Sequence, residues 1–191
     1  MEEDSTMTRD AIRQAAMKRF AEQGFDGTSM AEIAQDVGIK APAIYVHFKG
    51  KTELFLDLLH RALNEELAYT GAFLSRDGEA EAILPAFLED IGRRFDTSPR
   101  MRFILNAVYL PPQKVATAAS APVDAYMNNM EITIHNVFKR LPPCRIPPEQ
   151  LASAYMGIMD SLQAEALYGG KTKFLKRLDA FWQVFRLVFH S

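Results

Sequence analysis

The sequence predicts an all-α protein of about nine or ten helices. Apolar residues recur at intervals of three and four along most of the 191-residue chain, which is the period of an amphipathic helix. No stretch alternates apolar and polar residues between turn residues, as a half-buried strand would. Proline pairs at 111–112, 142–143 and 147–148 interrupt the helical pattern, because proline begins or ends helices.

Turn and capping residues place the first helices. Gly24 follows the first helix in a position that favours positive φ. Ser29 and Glu32 have the spacing of a capping box at the start of the second, and Gly38 ends it. Pro42 suits the first turn of the third helix, where no amide partner is lost. The predicted helices cover residues 8–23, 29–36, 40–48, 51–74, 79–96, 99–109, 113–140 with a possible break at Pro122, 148–168 and 171–189.

Composition excludes several classes of protein. The chain has 22 Lys and Arg against 24 Asp and Glu, so its net charge of −2 gives no support to nucleic-acid or membrane binding through the overall field. Any such contact needs a local patch. No apolar run approaches the roughly 20 residues that cross a bilayer, and the acidic start, residues 2–4, is unlike a secretory signal. We expect a cytoplasmic protein without membrane contact.

The chain has one cysteine, Cys144, which cannot form an intrachain disulfide. It lies between two proline pairs with Arg145 as its charged neighbour, and this setting favours an ordinary exposed thiol over a redox switch.

The second and third helices, joined at Val37-Gly38-Ile39, have the dimensions of a helix-turn-helix, whose second helix can enter the major groove of DNA. A helical hairpin used only for packing is the alternative. Between Ile39 and Thr52 the chain has three lysines and His47 and no acidic residue, so the local basic patch is present. This favours DNA binding.

The segment from Thr8 to Leu54 resembles the DNA-binding domain of the TetR family of bacterial transcriptional regulators. The positions that carry the resemblance are Ile12, Ala15, Phe20, Gly24-Phe25, Thr28-Ser29, Ile33-Ala34, Gly38-Ile39, Ile44-Tyr45, His47-Phe48, Lys51 and Leu54. It implies a helix-turn-helix domain over residues 1–50, followed over 51–191 by a helical bundle that binds a ligand and forms a homodimer.

Two groups of residues are expected to contact DNA. The start of the third helix faces the bases, where Ala and Pro can touch thymine methyls and Lys40 can donate to guanine, so direct readout is thin and DNA shape contributes. Hydroxyl, imidazole and ammonium groups around it can bind phosphates, as the resemblance implies for the matching positions. The full set is Thr28, Ser29, Lys40, Ala41, Pro42, Ala43, Tyr45, His47, Lys49 and Lys51.

Residues 57–191 are electrically neutral, with fifteen basic and fifteen acidic residues, and are assigned other roles. Adaptable Met, aromatic rings and a few polar groups suit a ligand cavity: Phe103, Ala107, Tyr126, Met130, Tyr155, Met159 and Gln163. Small and apolar residues of the last two helices suit a dimer interface: Ala154, Gly157, Ser161, Phe181, Phe185 and Phe189. Core packing is the alternative for both sets. Because this ligand set lacks carboxylates, an uncharged or weakly acidic effector with an apolar or aromatic body is favoured over a polycation.

We therefore expect a repressor that binds a palindromic double-stranded DNA operator as a homodimer and responds to a small-molecule effector through the fourth helix. A dimeric interaction module without DNA binding is the alternative, since the start of the third helix is mostly apolar. An enzyme is a weaker hypothesis, because the four histidines are scattered and no catalytic, nucleotide-binding or metal motif is present. No cofactor is expected.

Overall fold

The computed structural model describes residues 2–141 and 145–187, and in this part of the chain every regular element is a helix. The nine α-helices are α1 (Glu2–Gln23), α2 (Met30–Val37), α3 (Ala41–His47), α4 (Lys51–Leu74), α5 (Ala80–Thr97), α6 (Pro99–Tyr109), α7 (Ala116–Phe138), α8 (Pro148–Ala164) and α9 (Gly170–Phe185). A π-helical turn, Glu165–Gly169, joins α8 to α9. The predicted all-α class is confirmed.

Three details differ from the predicted helices. α1 begins at Glu2 rather than near residue 8, because the prediction started the helix where its apolar stripe starts. α7 continues through Pro122, whose missing amide removes one hydrogen bond without ending the helix. The last residues predicted for α8 form a π-helical turn instead, and Gly170, with φ of 75° and ψ of 171°, interrupts the helical path where the prediction had a gap. Cys144 and Phe189 lie outside the described residues.

Contacts divide the chain into two compact units, and the first comprises the residues up to 63 together with 98–123. Here α6 packs against α1. The rings of Phe20, Phe25, Phe55 and Phe103 form an aromatic core, with centroids 5.0 to 6.2 Å apart. Edge-to-face and offset arrangements of this kind add to the hydrophobic stabilisation of a core.

The second unit comprises residues 64–97 and the chain from 124 onward. In it α5 packs against α8 and α9. Tyr155 is fully buried and its hydroxyl donates to the Leu84 carbonyl over 2.7 Å, so the one polar group of this ring is satisfied. Its ring also lies against those of Phe138 and Phe185.

The boundary expected between residues 50 and 51 is not where the contacts divide the chain. α6 and the start of α7 join the N-terminal unit because Phe103 of α6 packs on Phe20 and Phe55. A division made along the sequence cannot include a later helix that returns to an earlier unit. Separately, none of the described helices combines the length and apolar character needed to span a bilayer.

Candidate DNA-binding surface and ligand cavity

α2 and α3 form the helix-turn-helix expected from the sequence. Gly38 has φ of 76°, a conformation that glycine adopts without strain, and its amide donates to the end of α2. Ile33, Ala34 and Ile44 are buried with at most 1% of their surface exposed, so both helices are held in the first unit through one face. The opposite face of α3 is left for contact with a partner.

The start of α2 has the predicted capping box. The Ser29 hydroxyl accepts from the Glu32 amide over 3.2 Å, while a Glu32 carboxylate oxygen accepts from the Ser29 hydroxyl and amide over 2.6 and 2.8 Å. These hydrogen bonds from Ser29 lower the pKa of Glu32. Ser29 was expected to offer its hydroxyl and amide to a phosphate, and in this structure both are engaged.

An ion pair fixes α2 on α1. The Arg19 guanidinium donates to both carboxylate oxygens of Asp36 over 2.5 and 2.9 Å and lies 3.3 Å from Glu32. The hydrogen bond from Arg19 lowers the pKa of Asp36. The single Arg19 guanidinium offsets part of the negative charge of Asp36 and Glu32, which reduces their repulsion of DNA phosphates.

The exposed face of α3 carries most of the residues expected to contact bases. Lys40, Ala41 and Pro42 are exposed, and Ala43 is half-buried. Beyond them Tyr45 is 53% exposed and Val46 82% exposed, while His47 is half-buried. The exposed Tyr45 and Val46 side chains beside Lys40 are therefore available for contact with a partner.

Two residues expected to contact DNA phosphates, Lys51 and Thr28, make hydrogen bonds within the protein. The Lys51 ammonium donates to the carbonyls of Phe25 and Thr28 over 2.6 and 2.7 Å and lies 4.4 Å from the Phe25 ring centroid. Thr28 is 2% exposed and its hydroxyl donates to the Gly24 carbonyl over 2.8 Å. We call this set, Gly24, Phe25, Thr28 and Lys51, the lysine clasp. It holds the turn between α1 and α2 against the start of α4.

The start of α4 is fixed to α1 as well. Asp57 accepts two hydrogen bonds from the Arg13 guanidinium over 2.8 and 3.0 Å, and these lower its pKa. The guanidinium groups of Arg9 and Arg13 lie 4.9 and 5.7 Å from the Phe48 ring centroid. By contrast, the Lys49 side chain is exposed, while its backbone amide donates to the Glu53 carboxylate over 2.8 Å.

A buried cluster of charges in the second unit was not expected from the sequence. The Arg94 guanidinium donates to both oxygens of Glu66 over 2.6 and 2.7 Å and to Asp90 over 2.7 Å. The Tyr69 hydroxyl also donates to Asp90 over 2.7 Å, and Arg93 donates to its other oxygen. Burial alone would raise the pKa of Asp90, but these hydrogen bonds hold it below its usual value. We call these five residues the Asp90 cluster.

A signal for this cluster is present in the sequence. Glu66 falls on the apolar side of α4, four residues after Ala62 and three after Leu63, both of which are buried. A carboxylate on a buried face requires a cationic partner. Arg94 supplies that partner, and Asp90, four residues earlier, lies on the same face of α5.

The second unit contains a cavity of about 490 Å³ between α5, the end of α4, the π-helical turn and the start of α9. Aromatic and aliphatic side chains form much of its wall, principally Phe73, Ala86, Phe95, Ala166, Phe174 and Leu175. Five charged residues also line it: Glu89, Asp90, Arg93, Asp96 and Lys171. Its size and composition suit a small organic ligand.

The cavity does not contain the residues expected to bind the ligand. Phe103 and Ala107 lie buried in the first unit. The others are buried in the second unit but do not line the cavity: Tyr126, Met130, Tyr155, Met159 and Gln163. Burial raises the pKa of Tyr126 and of Tyr155. The pattern of Met and aromatic residues that suggested a ligand site is therefore also the pattern of a helical core.

Among the described residues expected at a dimer interface, two are exposed on the surface and the others are partly or fully buried in the second unit. Ala154 and Gly157 are exposed on α8, and a methyl group added at Gly157 would meet no atom within 4 Å. Ser161 is half-buried and accepts from Arg177 over 2.9 Å. Phe181 is half-buried, but Phe185 is 7% exposed and packs on Phe138 and Tyr155 inside the unit.

Comparisons with known proteins agree with this architecture. Residues 12–58 match the profile of a family described as bacterial regulatory proteins, tetR family. The HTH-type transcriptional regulator AcrR of Shigella flexneri is 23% identical over 186 residues, which are 92% of this chain and 85% of the relative. The HTH-type transcriptional repressor ComR of Escherichia coli K12 is 31% identical over 108 residues, which are 54% of this chain and 51% of the relative.

Solved structures with the same fold cover nearly the whole chain. NalD of Pseudomonas aeruginosa, the secondary repressor of the MexAB-OprM multidrug efflux pump, has a TM-score of 0.65 at 23% identity, covering 95% of this chain and 96% of its own. A TetR transcriptional regulator from Chloroflexus aurantiacus has a TM-score of 0.74 at 18% identity, covering 96% of this chain and 94% of its own. These likenesses extend the shared fold beyond residues 12–58.

Proposed function

Because the chain belongs to the TetR family of bacterial regulatory proteins, we propose that it is a transcriptional regulator, a repressor, that binds operator DNA and responds to a small molecule. The observation that carries the proposal is the helix-turn-helix, in which Ile44 anchors α3 while Lys40, Pro42, Tyr45 and Val46 are exposed together. An exposed helix of this kind, with a lysine at its start, can enter a major groove.

Base contacts come from the start of α3. Lys40 is the residue there that can donate to guanine O6 or N7, while Ala41, Pro42 and Ala43 can touch thymine methyl groups. Such a surface carries few hydrogen-bond donors, so sequence-dependent DNA shape contributes to recognition.

Phosphate contacts come from Tyr45, His47 and Lys49, whose side chains are exposed or half-exposed beside α3. Ser29, exposed just before α2, belongs to the same surface. Thr28 and Lys51 act mainly through the lysine clasp, which fixes the turn before α2. The Lys51 ammonium uses two of its three donors there.

The operator is a palindrome bound by a homodimer. In a two-fold symmetric complex the two α3 helices enter successive major grooves about 34–36 Å apart. The exposed small residues Ala154 and Gly157 on α8 permit close approach of a second copy, and the exposed side chains of Leu175 and Val184 on α9 supply apolar area.

The effector occupies the cavity of the second unit and acts on DNA through α4. Residues 51–74 form one uninterrupted helix, which carries Glu66 and Tyr69 of the Asp90 cluster and begins at the lysine clasp. A ligand that changes the position of α4 changes the spacing of the two α3 helices. The effector must then bind the free and the DNA-bound protein with different affinity.

The test is selection of bound DNA from a random pool with the full chain, followed by fluorescence anisotropy at 50 and 200 mM salt. We expect a palindrome whose affinity falls steeply with salt, because each neutralised phosphate adds about 0.9 to the slope of log K against log salt. Tyr45→Phe with Lys49→Gln should weaken binding at least about tenfold and reduce that slope by about 1. Lys114→Gln, an exposed lysine outside the helix-turn-helix, is the matched control and should change neither.

A dimeric interaction module without DNA binding is the second candidate. It is favoured by the exposure of Val46 and Tyr45 on a face with one lysine at its start. No enrichment of DNA at low salt, together with retained self-association, would favour that module over the regulator.

A further inference from the structure

The cavity of the second unit is lined by charged residues, and none of them was among the residues assigned to a ligand site from the sequence. Its charged side chains are three carboxylates and two cations: Glu89, Asp90, Asp96, Arg93 and Lys171. Asp90 differs from the rest, because its side chain is only 7% exposed while that of Arg93 beside it is 65% exposed. A buried carboxylate requires a cation next to it, whereas an exposed guanidinium is stable in water without that carboxylate.

The cation next to Asp90 on the cavity side is therefore exchangeable. Arg94 is committed to Glu66 through two hydrogen bonds and is itself buried, so it stays in place. Arg93 makes one hydrogen bond to Asp90, and its long side chain can turn outward into solvent. A cation that binds in the cavity can replace the Arg93 guanidinium. The buried Asp90 carboxylate then still has a cation beside it.

The apolar wall suits a cation as well. The rings of Phe73, Phe95 and Phe174 line the cavity, and ring faces attract positive charge. The structure already uses this attraction twice in the same unit. The Arg76 guanidinium lies 3.9 Å from the Phe73 ring centroid, and that of Arg94 lies 4.2 Å from the Tyr69 ring centroid.

An anion would find a poorer environment. Arg93 is already paired with Asp90, which leaves Lys171 as the cation of the wall without an ion pair among the described residues. Lys171 is exposed and hydrated, and an exposed ion pair contributes little. Glu89 is exposed as well, so its charge roughly offsets that of Lys171, and the buried Asp90 remains to repel an anion.

We propose that this cavity binds a monocation with an aromatic body, whose charge replaces the Arg93 guanidinium beside Asp90 and whose rings pack among Phe73, Phe95 and Phe174. The proposal names the effector class of the regulator proposed above, and it rests on that function only for the consequence of binding. It departs from the uncharged or weakly acidic compound expected from the sequence, because Asp90 and Glu89 were not among the residues assigned to the cavity.

Three probes that share one aromatic body test the proposal by isothermal titration calorimetry of the full chain without DNA. They are biphenyl-4-ylmethyl-trimethylammonium, the neutral biphenyl-4-ylmethanol and the anionic biphenyl-4-ylacetate. We expect the cation to bind about tenfold more tightly than the anion, with the alcohol between them. Tighter binding of the anion than of the cation, or no binding of the cation at millimolar concentration, would overturn the proposal.

Charge variants test whether the probes bind in this cavity and whether their affinity changes in the expected direction. Arg93→Gln removes the competing cation, so it should tighten binding of the ammonium probe about two- to fivefold and weaken the anion. Glu89→Gln should weaken binding of the ammonium probe by a smaller factor, about twofold at most, because the Glu89 carboxylate is exposed. The matched controls are Lys176→Gln and Glu79→Gln, exposed positions outside the cavity wall, and neither should change binding. Weaker binding of the cation by Arg93→Gln would refute the exchange.

These measurements are independent of the DNA-binding proposal. If the chain binds the ammonium probe as expected but enriches no DNA, the cavity assignment stands and the proposed regulator function is refuted. If the chain binds a palindrome but prefers the anionic probe, the proposed regulator function stands and the cation site is refuted.

Discussion

Replacing Lys51 by methionine should lower the stability of the chain while leaving the salt dependence of DNA binding almost unchanged. Methionine keeps an unbranched stem of similar length and removes the ammonium group. In the structure that group donates to the carbonyls of Phe25 and Thr28 over 2.6 and 2.7 Å. If its main role is this clasp, the variant loses structure rather than a phosphate contact.

The size of the effect follows from those two hydrogen bonds. A hydrogen bond to a charged group contributes about 1.5–3 kcal/mol, and the half-buried position of Lys51 lets water partly replace it in the variant. The cation–π contact with Phe25, 4.4 Å from the ammonium to the ring centroid, adds about 0.5–1 kcal/mol. We expect the free energy of unfolding to fall by about 2–4 kcal/mol in total.

Urea unfolding followed by circular dichroism measures the first quantity, and operator binding between 50 and 200 mM salt measures the second. Lys49→Gln is the matched control, because the Lys49 side chain is exposed. It should leave stability unchanged and reduce the salt slope by about 0.9. A Lys51→Met variant of undiminished stability, with its own slope reduced by about 0.9, would refute the clasp and restore Lys51 as a plain phosphate contact.

Two other perturbations test the second unit. A methyl group in Gly92→Ala would lie 2.7 Å from the Phe174 ring, so urea titration should show a loss of about 1–3 kcal/mol, whereas Gly157→Ala, which meets no atom within 4 Å, should show no loss. Acid should remove the contribution of Asp90, whose pKa is lower in the folded state: this stability is complete above about pH 4 and disappears as pH falls through the folded pKa. Between pH 5 and pH 2, Asp90→Asn should therefore lose less stability than the wild type, and equal losses would contradict the assignment.

The helix-turn-helix could be predicted from sequence because its determinants are local. Gly24 and Gly38 adopt positive φ where the sequence placed helix ends, with values of 72° and 76°. The Ser29–Glu32 capping box depends on a spacing of three residues and formed as expected. Burial of Ile33, Ala34, Ile44 and Phe48 followed from their periodicity.

The cavity could not be predicted because its determinants are not local. It depends on Gly92 allowing the Phe174 ring close to α5, and on the π-helical turn that brings Ala166 to the wall, and neither has a sequence signature. Periodicity shows which residues are buried but does not show where packing is incomplete. For that reason core residues such as Tyr155 and Met159 had the same signature as ligand contacts.

The Asp90 cluster explains how a ligand in the cavity can affect α4. Asp90 lines the cavity and also accepts from Tyr69 of α4, and Arg94 joins it to Glu66 one turn earlier in that helix. A cation that displaces Arg93 changes the field at Asp90 and hence the strength of the bonds that hold α4 to α5. Because coupling is reciprocal, the factor by which a saturating cation weakens operator binding must equal the factor by which the operator weakens cation binding. A cation that binds the free and the operator-bound protein with equal affinity would refute this coupling.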